Sequence, residues 1–120
     1  MEPNRPLLVT SEETEKLPIL IVDKKGMIGT ALAKKLSEQL LVVLVTSAPV
    51  EAHENVIHIP HHKRVPTIPD NLYSHIFIVY NGEAELLDML SGFVDKARES
   101  KGKIFLITSL LFSSIKMFSF

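Results

Sequence analysis

The stretch ILIVDKKGMIGTALAKKL, residues 19–36, decides the fold of this chain. Its first four residues are apolar, and such a short run predicts a β-strand buried on both faces rather than a helix. The polar turn DKKG follows, and apolar residues then recur at helical spacing up to Leu36. The helix begins with two glycines, Gly26 and Gly29. A strand, a tight turn and such a helix form half of a phosphate-binding unit, because the turn aims N–H groups and the positive end of the helix dipole at an anion.

The composition indicates one globular domain. The chain has 120 residues, of which 46% are hydrophobic and 22% charged, and its formal net charge is -1. This charge gives no electrostatic basis for binding nucleic acid or an anionic membrane. The absence of cysteine excludes disulfides and thiolate metal sites and favours a reducing compartment. The charged start lacks the apolar core of a signal peptide, and no apolar run reaches the roughly 18 residues of a membrane helix, so we expect a cytoplasmic protein.

Four further apolar segments predict the rest of a parallel sheet, at 41–46, 56–59, 75–80 and 103–108. Apolar residues at helical spacing predict helices over about 27–39 and 83–100. Strands that alternate with helices or with long connections predict a Rossmann-like three-layer α/β domain with five parallel strands in the order 3-2-1-4-5. Helical cover is expected to be reduced around strand three, because the prolines that follow it disfavour a helix. We expect an N-terminal arm at 1–17, the domain at 18–112 and an apolar C-terminal tail at 113–120.

The opening motif resembles the start of NAD-dependent epimerase/dehydratase proteins, the extended short-chain dehydrogenase/reductase family. ILIVDKKGMIGTAL is similar to the ILVTGxxGFIGSxL pattern of that family. LVVLVTSAP, VIHIP, HIFIVYNGEAE and KIFLITSLLF follow in the order and spacing of its later strands, so the resemblance covers roughly residues 17–112. The resemblance implies the N-terminal nucleotide-binding part of such an enzyme, with NAD or NADP as the cofactor.

The resemblance also implies a set of cofactor-binding residues, namely Asp23, Lys24, Gly26, Met27, Ile28, Gly29, Thr46, Ser47 and Asn81. The family's first glycine, which makes the tight turn, is Asp23 in this chain, and its carboxylate would face a pyrophosphate. The acidic residue that usually binds the ribose at the end of strand two is replaced by Thr46 and Ser47. Weak or lost binding of NAD or NADP is therefore expected. Close packing of the helix on the strand explains the two glycines equally well.

The acid/base pair of that family is missing from this sequence. In the family, a serine or threonine near the end of strand five assists a Tyr-x-x-x-Lys pair whose tyrosine transfers a proton. Thr108 and Ser109 fall near the serine position, but neither Tyr73 nor Tyr80 is followed by lysine at the fourth position. No catalytic residue is predicted, and the chain is not expected to run the family's reaction alone.

A non-catalytic interaction module without cofactor is the alternative function. One version resembles a response-regulator receiver domain, although strand four ends at Tyr80-Asn81 and lacks the aspartate that such domains phosphorylate. The other version is a degenerate Rossmann scaffold. The apolar tail LLFSSIKMFSF supports this scaffold version, because exposed apolar surface commonly marks a contact. We expect a homodimer through this tail or through the sheet edge near strand five.

Two polar clusters have simple structural interpretations. Three histidines lie in HIPHHKR, residues 58–64, and with no acidic residue among them this tract predicts a solvated loop rather than a metal site. Glu83, Glu85 and Asp88 stand at the start of the second helix, where acidic side chains favour the positive helix end. Neither cluster predicts a metal site or a catalytic site.

Overall fold

The computed structural model describes residues 17–61, 72–108 and 114–120. The helices in these ranges are α1 (Met27–Leu36) and α2 (Ala84–Ser100), and the strands are β1 (Ile19–Val22), β2 (Val42–Thr46), β3 (Val56–Pro60), β4 (His75–Tyr80), β5 (Lys103–Thr108) and β6 (Ser114–Ser119). The predicted α/β class is confirmed. Helix α1 is shorter than predicted, because the chain turns after Leu36, whose carbonyl accepts hydrogen bonds from the N–H groups of Gln39 and Leu40.

The strands form one sheet in the order β3-β2-β1-β4-β5-β6. The predicted order of the first five strands, 3-2-1-4-5, is confirmed, and these five are parallel. The prediction of a five-stranded parallel sheet is wrong, because β6 pairs with β5 in the antiparallel direction. The apolar and β-branched side chains of SIKMFS suit an extended strand. Strand β5 ends at Thr108 and β6 begins at Ser114, and antiparallel neighbours need no crossover helix between them.

The core lies on both faces of the sheet. All four residues of β1 are buried, as predicted, and successive side chains point to opposite faces. Leu20 joins the cluster that packs against α2, whereas Ile21 joins the one that packs against α1. One helix on each face gives the three predicted layers. Ile57 of β3 is 46% exposed, which fits the reduced helical cover expected around strand three.

Candidate functional site

The reversal in strand order falls between β1 and β4, as predicted. At such a reversal the connections leave neighbouring strands in opposite directions and open a crevice at their carboxyl ends. The turn after β1 lies on one side of this crevice, and the start of α2, after β4, lies on the other. These two segments hold the candidate site.

The carboxylate of Asp23 lies at the N-terminal end of α1. Its Oδ2 accepts a hydrogen bond of 2.7 Å from the backbone N–H of Gly29. The residue is 1% exposed, and its own N–H donates to the carbonyl of Val45 at 2.9 Å. The second carboxylate oxygen, Oδ1, is buried and has no hydrogen-bond partner among the described residues. The chain's own negative charge therefore occupies the helix end at which a phosphate would be expected.

Both glycines of the motif are sites of close packing. Gly26 has a φ of 88°, in the left-handed region, and a Cβ there would lie 2.5 Å from the Cβ of Ala48 and 2.7 Å from the Oγ1 of Thr46. A Cβ on Gly29 would lie 2.7 Å from the Cβ of Asp23. Real Cβ atoms do not approach other atoms so closely, so each glycine is required to seat α1 on the sheet whether or not a ligand binds.

The polar side chains at the end of β2 bond to the turn after β1. The carbonyl of Lys24 accepts hydrogen bonds from the Ser47 hydroxyl at 2.5 Å, the Thr46 hydroxyl at 3.3 Å and the Ser47 N–H at 2.9 Å. The Thr46 hydroxyl oxygen also accepts from the N–H of Ala48 at 3.1 Å. Thr46 is fully buried. These hydroxyl groups hold the turn against the sheet.

An ion pair spans the crevice. The Nζ of Lys24 lies 3.0 Å from the Oε1 of Glu85, in the first turn of α2, and the two side chains are 31% and 25% exposed. A backbone hydrogen bond at Glu85 and then the hydrogen bond from Lys24 lower the pKa of the Glu85 carboxyl. The carboxylate is therefore held in its charged form opposite the turn. Lys24, predicted to contact the cofactor, is paired within the chain.

His61 lies behind this ion pair and is completely buried. Its backbone N–H donates to the carbonyl of Thr46 at 3.1 Å, and the Nε2 of its ring lies 3.9 Å from the Oε1 of Glu85. The prediction of a solvated loop is wrong for His61, because the residue is completely buried beside Glu85 in the first turn of α2. Within 17–61, 72–108 and 114–120, no three His, Cys, Asp or Glu residues are arranged to hold a metal ion.

Three more of the predicted residues can be placed in the described part of the chain. Met27 is 86% exposed, and the N–H of Asn81 is taken by the Oε2 of Glu83 at 2.7 Å. Thr108 ends β5 beside an apolar cavity of about 240 Å³ between the sheet and α2. Ser109 lies outside the described residues. A larger cavity of about 360 Å³ lies between α1 and the β2–β3 connection, and none of the predicted cofactor-binding residues lines it.

Sequence reasoning missed the pairing of Lys24 with Glu85 and the burial of His61. The two members of the pair are 61 positions apart, and Glu85 also suits the helix end for local reasons. The predicted strand order could have indicated the pairing of Lys24 with Glu85, because the segments that follow β1 and β4 must meet at the reversal in that order.

Comparison with known proteins finds no matching protein-family model, no similar curated protein and no similar solved structure. No helix in the described part of the chain is long and apolar enough to cross a membrane.

Proposed function

We propose that this chain is a non-catalytic interaction module built on a Rossmann-like scaffold whose dinucleotide site has been lost. The observation that carries the proposal is the hydrogen bond of 2.7 Å from the Gly29 N–H to the Asp23 carboxylate. An N–H group at a helix start is the donor that a phosphate needs. Here the Gly29 N–H already donates to the Asp23 side chain.

Electrostatics disfavour a second anion at this helix end. Two unit negative charges about 4 Å apart repel by about 4 kcal/mol at the effective dielectric constant of a protein surface. That repulsion would weaken phosphate binding by about a thousandfold. Lys24 could offset it only by leaving Glu85, which would free another negative charge in the same crevice.

The chemistry of the chain also supports a non-catalytic role. Tyr73 is completely buried and belongs to the hydrophobic cluster formed by the sheet and α2. The fourth residues after Tyr73 and Tyr80 are Phe77 and Ala84, so neither tyrosine begins a Tyr-x-x-x-Lys pair. Thr108 lies near the serine position of the resembled family, but the sequence holds no Tyr-x-x-x-Lys pair for it to assist.

Calorimetric titration tests the loss of the cofactor site. NAD⁺, NADH and NADP⁺ titrated into the wild-type protein are expected to give no saturable heat at millimolar concentration. The Asp23→Gly variant restores the glycine of the family pattern, and Asp23→Asn keeps an acceptor without the charge. Binding is expected to be tighter in Asp23→Gly than in the wild type, and saturable binding by the wild type at millimolar concentration would overturn the proposal.

Weak dinucleotide binding is the second candidate. It is favoured by the N–H groups of Met27 and Ile28 in the first turn of α1, which have no acceptor among the described residues. This candidate predicts millimolar binding by the wild type, with amide shifts confined to Met27 and Ile28. It also predicts that neutralising the charge in Asp23→Asn tightens the binding.

A further inference from the structure

The outermost strand, β6, has a neighbouring strand on one side only within the described part of the chain. Its register with β5 pairs Lys103 with Ser119 and Thr108 with Ser114. The N–H and C=O groups of successive residues in an antiparallel strand point alternately to its two sides. About half of the backbone groups of β6 therefore face away from β5, and no strand in the described part of the chain pairs with them.

The side chains of β6 and the residue that follows it present an apolar surface. Large apolar residues are exposed at four positions, with exposed fractions of 67%, 53%, 48% and 40% for Ile115, Met117, Phe118 and Phe120. Natural edge strands are usually blunted by charged residues, proline or a bulge. The strand carries one charge, on Lys116, and no proline.

The opposite edge of the sheet, β3, has protection that β6 lacks. Its last residue is Pro60, which has no N–H to offer another strand. The ring nitrogen Nε2 of His58 lies 3.1 Å from the carbonyl of Thr46 and holds that side chain against β2. Of the two edges, β6 is therefore the one suited to recruit a strand.

We propose that β6 pairs with β6 of a second copy of this chain, antiparallel and around a two-fold axis perpendicular to the sheet. This inference rests on the proposed function as an interaction module and names its partner. In a two-fold dimer the same strand edge is used by both copies, so the outward backbone groups of each β6 find partners on the other β6. Such an axis keeps each face of the sheet on the same side in both copies, and directly opposite residues point to the same face. One residue of β6 must therefore lie directly opposite the same residue of the partner.

The charge of Lys116 determines which residue of β6 lies beside the two-fold axis. If the axis passed beside Lys116, two ammonium groups would lie directly opposite each other, which is destabilising. With the axis beside Met117, the Lys116 ammonium lies across from the partner's Phe118, a cation–aromatic pairing, and Ile115 lies across from the partner's Ser119. An axis beside Phe118 would also separate the charges, but fewer residues of β6 would pair.

The absence of cysteine makes this register directly testable. Residues opposite each other in antiparallel strands have Cα atoms about 4.5–5.5 Å apart, which a disulfide can bridge. Met117→Cys is therefore expected to form a covalent dimer quickly under mild oxidation. Ile115→Cys places its sulfur atoms four residues apart along the strands, about 13 Å, and should cross-link slowly. Leu87→Cys is the matched control on α2, since Leu87 is 51% exposed and Met117 is 53% exposed.

Sedimentation of the unmodified chain is the second measurement. A dimer is expected at high micromolar concentration, weakened at least tenfold by Met117→Lys, which places like charges opposite each other, and unchanged by Leu87→Lys. A wild-type monomer at that concentration would overturn the proposal. Cross-linking of Ile115→Cys or Leu87→Cys as fast as Met117→Cys, or a dimer that survives Met117→Lys, would overturn it as well. Dinucleotide binding would instead contradict the proposed function and leave the cross-linking pattern unchanged.

Discussion

The crevice beside β1 and the open edge at β6 use their polar and apolar groups in opposite ways. In the crevice, the Asp23 carboxylate bonds to Gly29, and Lys24 pairs with Glu85. At β6, backbone groups and large apolar side chains such as Met117 face outward. In the segment that resembles a cofactor loop, the Asp23 and Lys24 side chains thus bond to groups of the same chain. The contrast teaches that the two glycines of the motif have a packing role that needs no ligand, whereas the exposed apolar side chains lie at β6.

Of the substitutions in the crevice, Gly29→Ala should lower the stability of the protein most. The new Cβ would lie 2.7 Å from the Cβ of Asp23 and 3.1 Å from the Cγ2 of Ile21, so α1 must shift away from β1. We expect a loss of about 3 kcal/mol in the free energy of unfolding, measured by urea denaturation.

Gly92→Ala is the control for this substitution, because a Cβ on Gly92, in α2, meets nothing within 4 Å. It should stabilise the protein by up to about 1 kcal/mol through helix propensity. Equal effects of the two substitutions would contradict the packing role of Gly29.

Asp23→Ala should have the next largest effect. It leaves the Gly29 N–H without its acceptor in a buried position, which costs about 2 kcal/mol. Asp23→Asn keeps an acceptor oxygen and should lose about half as much. Chemical denaturation of the three proteins measures the difference. An alanine variant as stable as the wild type would mean that the carboxylate does not hold the helix start.

The Lys24–Glu85 pair predicts a smaller, pH-dependent effect. The pKa of Glu85 is lowered in the folded protein from its ordinary value of about 4.5 by the backbone hydrogen bond and by Lys24. The unfolded chain therefore binds the proton more readily, so this stabilisation is present above about pH 4.5 and is lost as the pH falls through the lowered value. Glu85→Gln should fall less steeply in stability below pH 4.5 than the wild type does. Identical slopes in acid denaturation would contradict the pairing.

Ile115→Thr at the edge should have the smallest effect on folding. Ile115 is 67% exposed, so little apolar burial is lost and the strand keeps a β-branched residue. We expect a change within about 0.5 kcal/mol in the free energy of unfolding at low protein concentration. Association should weaken in the same variant. A large loss of stability in the monomer would show that β6 belongs to the core rather than to an interface.

Apolar patterning predicted most of the fold. Short apolar runs separated by helical periodicity predict parallel strands, and the handedness of their connections restricts the order in which they pair. Strands β1 to β5 followed this reasoning closely. Strand β6 did not, because SIKMFS places Ile115 and Phe118 on opposite faces and so lacks the alternation of a half-buried strand.

The crevice was less predictable, because its contacts join residues that are distant in sequence. The replacement of a glycine by Asp23 could be seen in the sequence, and with it the negative charge near the helix start. Its bond to Gly29 depends on a side-chain direction that the sequence does not specify. His61 is buried close to Thr46 and Glu85, which lie far from it in sequence, and no local pattern encodes that approach.

The most direct test of the claim that the chain fills its own anion site is a nuclear magnetic resonance experiment. Scalar coupling across a hydrogen bond would correlate the amide nitrogen of Gly29 with the carboxyl carbon of Asp23. We predict that this correlation is present in the free protein and persists unchanged with millimolar NAD⁺. Its absence, or its loss on adding NAD⁺ together with shifts of the Met27 and Ile28 amides, would contradict the claim.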